Sequence, residues 1–358
     1  MKVPFKKLAL STCLIAYSGI ALSKSLPPLE QLEQLFNNEE YQEIVSVIRD
    51  HNLTLMSEKQ YTVYIYALSN IDLDDAEEAA TSALGVFANS PDMYLVHASI
   101  MGAQAQDSIF SALGYAEKAL TSLQKAVELA PNIPKYRLGL MSFYLAAPSI
   151  AGGDTDLALA QANKILELDE LKGTVALSRY YYATDDVDNA VSIVNDVLST
   201  HPNNAMLYNQ LANVHTRNDN TDDAIIAYQK VADIGISVTD VEHTTFNEDE
   251  QDAELYRYHN SHYQIGRLAV KSQSHTETGI THLNTYLSLQ STSENQWDSN
   301  LPSSDWALLR LAELYLDNDQ LVNARATYNN VTLDKGDTDM KSVYKKLAKK
   351  LKKAEKAI

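Results

Sequence analysis

Apolar positions recur along this chain at a fixed interval. Leu177, Tyr181, Ala190, Val194 and Val197 are answered 34 residues later by Leu211, His215, Ala224, Tyr228 and Val231. Within each block the apolar residues fall three to four positions apart, the spacing that lays one face of an α-helix against a neighbour. Two helices are therefore predicted per block. The first offers Leu177 and Ser178, then Leu211 and Ala212; the second offers the alanine, small enough to let two helices approach closely. Polar turns part them, Thr184 to Asp188 in one block and Asn218 to Asp222 in the next, both rich in residues that cap helix N-termini.

With the small residue of the second helix as anchor, weaker copies fall at Ile44, Ala79, Ala119, Ala158, Ala190, Ala224, Gly279 and Ala324. The intervals are 35, 40, 39, 32, 34, 55 and 45 residues. Proline stands 12 residues beyond three anchors, at Pro91, Pro131 and Pro202, in a chain with only 9 prolines. A proline just past a helix end stops the helix, so this shared offset supports the register.

A two-helix unit of 34 residues with a small residue at a fixed place is the period of the tetratricopeptide repeat. The chain resembles that family most strongly from about Asp92 to Asp233 and more weakly on either side. Tyr136 to Tyr144, the loop Ala147 to Asp154 and the helix expected from Thr155 resemble a variant found in bacterial envelope proteins. Two positions depart from the pattern: Thr174 stands where an aromatic is usual, and Glu170 where a closing proline is expected.

The resemblance implies an all-α fold, a right-handed superhelical solenoid of antiparallel helix pairs. It would span residues 24–334, with its best-defined repeats at 92–233, an acidic insertion at about 234–252 and a lysine-rich C-terminal helix over 335–358 as a cap. It also implies that the first helix of each unit lines a concave face that holds another protein or peptide, without catalysis.

On that face Arg179 and Asn213 occupy one equivalent position, and Tyr182 and Thr216 another. Asn209 lies four residues before Asn213, on the same side of its helix. Arg179, Tyr182, Asn209 and Asn213 are the candidate partner-binding residues, because such side chains hydrogen-bond a peptide backbone or carboxylate. They resemble part of a Lys/Asn/Arg clamp that some family members use for peptide C-termini, although no lysine precedes Arg179 at the corresponding place. A solvated groove wall is the alternative.

Charge changes this picture. The net charge is −18, yet residues 335–358 hold nine lysines against Asp337, Asp339 and Glu355, giving +6 and leaving −24 on the remainder. The acidic body favours basic protein partners and repels nucleic acid. In the basic tail Val343, Tyr344, Leu347, Leu351 and Ala354 recur at helical spacing, so one side packs while the lysines face outward. A solvating cap is one reading, and peripheral contact with an anionic membrane surface is the other.

Met1 to Lys7 is short and basic, Leu8 to Leu22 mostly apolar, and Ala21-Leu22-Ser23 presents small residues where a signal peptidase reads. Cleavage after Ser23 and export to the periplasm of a Gram-negative bacterium are expected, with secretion as an alternative. A lipoprotein signal at Cys13 is a further alternative. It fits poorly, since threonine precedes the cysteine and the apolar run continues to Ile20. Without Cys13 the chain has no thiol chemistry.

No catalytic, cofactor-binding or metal-binding residues are expected. His259 and His262, with His243, Glu242 and Asp252 near them in sequence, permit a divalent-metal or ligand site beside the insertion as the alternative reading. The pairs Asp74-Asp75, Asp185-Asp186 and Asp222-Asp223 recur at the same place in successive units, which marks capping turns rather than acid/base dyads. Gly152-Gly153-Asp154 reads as a tight loop before a capped helix.

Overall fold

The computed structural model describes residues 25–49, 51–107, 110–236, 248–292, 300–334 and 336–357. The expected signal segment with Ser23 and Cys13, and the pair Glu242 and His243, lie outside the described residues.

The helical periodicity is realised along the whole array, with 17 α-helices and no strand among the described residues. They form eight consecutive pairs. These are α1 (Leu29–Asn37) with α2 (Tyr41–Ile48), α3 (Glu58–Ser69) with α4 (Leu73–Val86), α5 (Pro91–Asp107) with α6 (Ala112–Leu129), and α7 (Pro134–Ala146) with α8 (Thr155–Leu168). The array continues with α9 (Glu170–Ala183) and α10 (Val187–Leu198), α11 (Ala205–Arg217) and α12 (Thr221–Ile234), α13 (Glu248–Ser272) and α14 (Thr276–Thr292), and α15 (Ser304–Asp317) and α16 (Leu321–Asn329). A single helix, α17 (Thr338–Glu355), closes it.

All eight anchor residues sit on the second helix of a pair, and all are buried. At Gly279 a Cβ would stand 2.6 Å from the Ala269 Cβ and 2.7 Å from Leu314 Cδ1. Helices α13, α14 and α15 converge there too closely for alanine.

The 34-residue step has a visible cause in the turns. Asp185, Asp219 and Asp319 each follow a first helix with φ of 65°, 59° and 54°, a left-handed conformation that aspartate tolerates better than most residues. In each turn the next amide reaches back to the carbonyl five residues earlier, Asp186 to Tyr181, Asn220 to His215 and Gln320 to Tyr315, all at 2.8 Å. This satisfies carbonyls that the helix end leaves open and sends the second helix off at the same angle each time.

Of the three acidic pairs only Asp185-Asp186 supplies a cap, although all three lie at helix starts. Asp186 accepts from the Asn189 amide, and Asp154 from the amides of Asp156 and Leu157. At the start of α4 the cap is Asp72, which receives Asp74 and Asp75. Asp222 and Asp223 lie in the first turn of α12, where negative charge suits the helix dipole. Gly152 has φ 92°, and a Cβ on Gly153 would collide with the Ala147 carbonyl, so this loop closes on its own backbone.

Two boundaries differ from the sequence expectation. Pro91 opens α5 instead of ending the preceding unit, because proline at the first helical position loses no intrahelical hydrogen bond. Helix α13 begins at Glu248, so the last residues of the expected 234–252 insertion belong to a 25-residue helix. No glycine or proline interrupts that stretch before Gly266, and nothing local stops helix propagation.

Each odd-numbered helix touches the next odd-numbered helix, from α1·α3 through α15·α17, whereas no two even-numbered helices make comparable contact. The odd helices are therefore the tighter, inner layer of a curved array, and the even helices the splayed outer layer. Helix α17 continues the inner layer. Met340, Leu347 and Leu351 bury one of its sides against α15 and α16, leaving the terminal repeat no open apolar end.

A candidate binding trough on the concave face

Three successive inner helices, α7, α9 and α11, enclose a trough of about 380 Å³. Met141, Ser142 and Leu145 come from α7, Arg179, Tyr182 and Ala183 from α9, and Gln210, Asn213, Val214 and Arg217 from α11. Within α9 and α11 these residues follow i, i+3, i+4 spacing, so each helix contributes a single stripe. Met141 and Val214 are buried and form an apolar floor with Leu145.

The polar groups above that floor are held from behind. Gln210, itself buried, donates from Nε2 to Ser178 Oγ at 3.1 Å, and Ser178 donates on to the carbonyl of Ala190 at 2.7 Å. This relay ties the inner helix of one repeat to both helices of the repeat before it. Tyr228 donates to Asn213 Oδ1 at 2.9 Å, which fixes the amide and leaves its Nδ2 donors for the trough.

Arg179 and Arg217 have no ion pair or hydrogen bond to protein among the described residues. Arg217 lies against Tyr182, its guanidinium 5.8 Å from the ring centroid. Arg179 opens to solvent through the trough mouth but is enclosed by the walls. That desolvation, followed by repulsion from Arg217, lowers its pKa. Two uncompensated cations thus share one concavity in a protein of net charge −18.

Of the four residues singled out from sequence, Arg179, Tyr182 and Asn213 line this trough together; Asn209 is half-buried on α11 and does not line it. Gln210 and Arg217 do, and both were reachable from Asn213 by helical spacing. Arg217 is also one 34-residue step beyond Ala183. The residues of α7 carry no such signal, since the anchors of its unit and the next lie 32 apart and the register slips.

His259 and His262 are buried on α13, and His262 Nδ1 meets His282 Nδ1 of α14 at 2.8 Å. Burial, then the neighbouring His282 and His259, push the His262 pKa down to about 4. Among the described residues no group of three His, Cys, Asp or Glu side chains is placed to hold a metal ion.

The sequence profile of the tetratricopeptide repeat family matches residues 175–237, and a second profile of the same description matches residues 108–133. The first match spans the paired helices α9 to α12 that build two walls of the trough. The chain carries tetratricopeptide repeats. No curated protein matches the sequence.

One solved structure shares the fold over most of this chain. The crystal structure of yeast Tom70 is similar with a TM-score of 0.55 at 14% identity, covering 90% of this chain and 59% of that one. The Cut9–Hcn1 hetero-tetramer of the APC/C gives 0.40 at 13%, covering 90% and 54%. A tetratricopeptide repeat protein from Parabacteroides merdae gives 0.40 at 16%, covering 78% and 97%. The chain thus spans little more than half the length of the first two proteins. No described helix is long and apolar enough to cross a membrane.

Proposed function

We propose that the protein is a non-enzymatic adaptor of the bacterial cell envelope that grips an extended segment of a partner protein in the trough of α7, α9 and α11. The observation that carries this reading is the pair of unpaired guanidinium groups, Arg179 and Arg217, beside the free Nδ2 donors of Asn213 over an apolar floor. Fixed donors without internal acceptors fit a ligand that brings its own carboxylate or backbone carbonyls.

The sign of the site differs from that of the whole molecule. Net charge acts at long range and draws basic proteins toward the acidic body. At contact, Arg179 and Arg217 select a segment with a negative group at that point. Both are satisfied by a partner with a basic surface and a local carboxylate.

The envelope location rests on the basic Met1 to Lys7 segment and the apolar run Leu8 to Leu22. Export predicts a mature protein beginning at Lys24 in the periplasmic fraction, readable by N-terminal sequencing. For the adaptor itself, a photo-crosslinking residue at Tyr182 is expected to capture a protein in living cells, and one at exposed Ile226 on outer helix α12 is not. Capture of no protein at Tyr182, with a small molecule co-purifying instead, overturns the reading.

A further inference from the structure

We propose that the lysine face of α17 seats the end of the solenoid on an anionic phospholipid surface. Lys345, Lys346, Lys349, Lys350, Lys352 and Lys353 are all exposed. At 100° per residue they fall on the side of α17 opposite the buried Met340, Leu347 and Leu351. They form one continuous cationic stripe about 12 Å long.

What separates this stripe from ordinary surface lysines is the fate of the acids around it. Elsewhere the chain neutralises its lysines: Lys118 pairs with Glu77, Lys135 with Asp92, Lys164 with Glu167 and Lys271 with Asp219. On α17 the six lysines have no ion pair among the described residues. Two acids of the tail are engaged elsewhere. Asp337 caps the helix through the Met340 amide and accepts from Trp306 Nε1, and Glu355 is held by Arg325 at 2.6 Å. A chain of net charge −18 therefore leaves a positive face uncompensated at one end.

The occupant follows from charge complementarity and shape. The apolar side of α17 is already buried against α15 and α16, so the helix attracts a surface without inserting into it. A planar anionic bilayer meets only the end of the array. Repeats beyond the terminal one recede from the bilayer, and salt, with a Debye length of about 8 Å at physiological strength, screens their repulsion. A long polyanion lying along the solenoid would meet those acids throughout. Lysine alone, without arginine forks, also suits non-specific attraction to lipid phosphate better than base or groove recognition.

The test is co-sedimentation of the chain from Lys24, without the segment expected to be removed on export, with vesicles of phosphatidylcholine alone or with one third phosphatidylglycerol. Each lysine near an anionic bilayer strengthens attraction roughly fivefold. Replacing Lys345, Lys349, Lys350 and Lys353 together by glutamine is expected to weaken binding to anionic vesicles at least tenfold, with an unchanged melting temperature. Wild-type binding is expected to vanish on phosphatidylcholine alone and to fall steeply with salt. Both proteins lack the basic N-terminal residues, so the difference reports α17. Equal binding by the two proteins, binding that persists in strong salt, or a tighter hold on a DNA duplex than on anionic vesicles would each overturn the proposal. If the quadruple variant melts lower, single charge-neutralising variants and the wild-type salt titration decide.

Discussion

The guanidinium of Arg217 lies 5.8 Å from the ring centroid of Tyr182, one full repeat away along the array. The contact crosses the junction between two inner helices and places the guanidinium of Arg217, itself solvent-exposed, beside the trough. It also brings a second cation toward Arg179, whose pKa is lowered by burial and then by this repulsion. A segment bound there bridges α9 and α11, which couples binding to the rigidity of that junction.

Removing either arginine should weaken binding without unfolding the protein. A hydrogen bond to a charged group contributes about 1.5–3 kcal/mol, so Arg179→Ala and Arg217→Ala are each expected to weaken binding of a labelled glutamate-rich peptide about tenfold to hundredfold. Fluorescence anisotropy measures this. The Arg217→Ala protein should melt no lower than wild type, since it loses a repulsion along with a weak ring contact. Undiminished affinity in both variants would remove the trough from consideration as an anion site.

The Ser178 relay is a stability element. Ser178→Ala strands the buried Gln210 amide and takes a side-chain hydrogen bond from the Ala190 carbonyl, which lies inside α10, and an unsatisfied buried polar group costs about 1–3 kcal/mol. Urea denaturation should show a loss of that size. A change of a few tenths would mean that the relay is dispensable.

Gly279 tests the close approach of three helices. Alanine is favoured over glycine in a helix by about 1 kcal/mol, so Gly279→Ala would stabilise an open position. Here the added methyl overlaps Ala269 and Leu314, and overpacking of this kind costs about 1–3 kcal/mol. The expected outcome is a lower melting temperature, and a rise would show that α13 and α15 can yield.

The His262–His282 contact predicts acid sensitivity of the last third of the array. In the folded protein His262 titrates at about 4, against 6.5 for the free side chain. The unfolded chain therefore binds the proton first as pH falls. Stability from this group is complete above pH 6.5 and is lost as pH drops toward 4, by up to about 3 kcal/mol. His259 is depressed by burial in the same direction, as is His282, against an opposing pull from Asp233. His262→Gln should flatten the change in urea midpoint between pH 7 and pH 5. An equally steep dependence in that variant would assign the acid response to other groups.

Much of the architecture is legible in the chain because each repeat makes its own local decisions. The anchors from Ile44 to Ala324, small at all but the first, the capping aspartates and the left-handed turn residues Asp185 and Asp219 act within a few residues of themselves, and their spacing survives in the sequence. The site is legible where it shares that spacing. Arg179 and Asn213 stand at one repeat position, and Tyr182 lies three residues beyond Arg179. Gln210 and Arg217 were within reach of the same spacing, but Asn209 was the neighbour it pointed to.

The sequence by itself determined the repeat, its helical pairing, the burial of one side of α17 and the charge contrast between body and tail. These follow from periodicity and composition, which are properties of a single segment. The tertiary structure alone decided that Met141 and Leu145 of α7 share a trough with Arg179 and Arg217, that Arg217 rests on Tyr182, and that His262 meets His282. The trough and the Arg217–Tyr182 contact join helices of different repeats, and the His262–His282 contact joins the two helices of one pair. Their geometry is set by how closely the inner helices pack, and no local pattern encodes it.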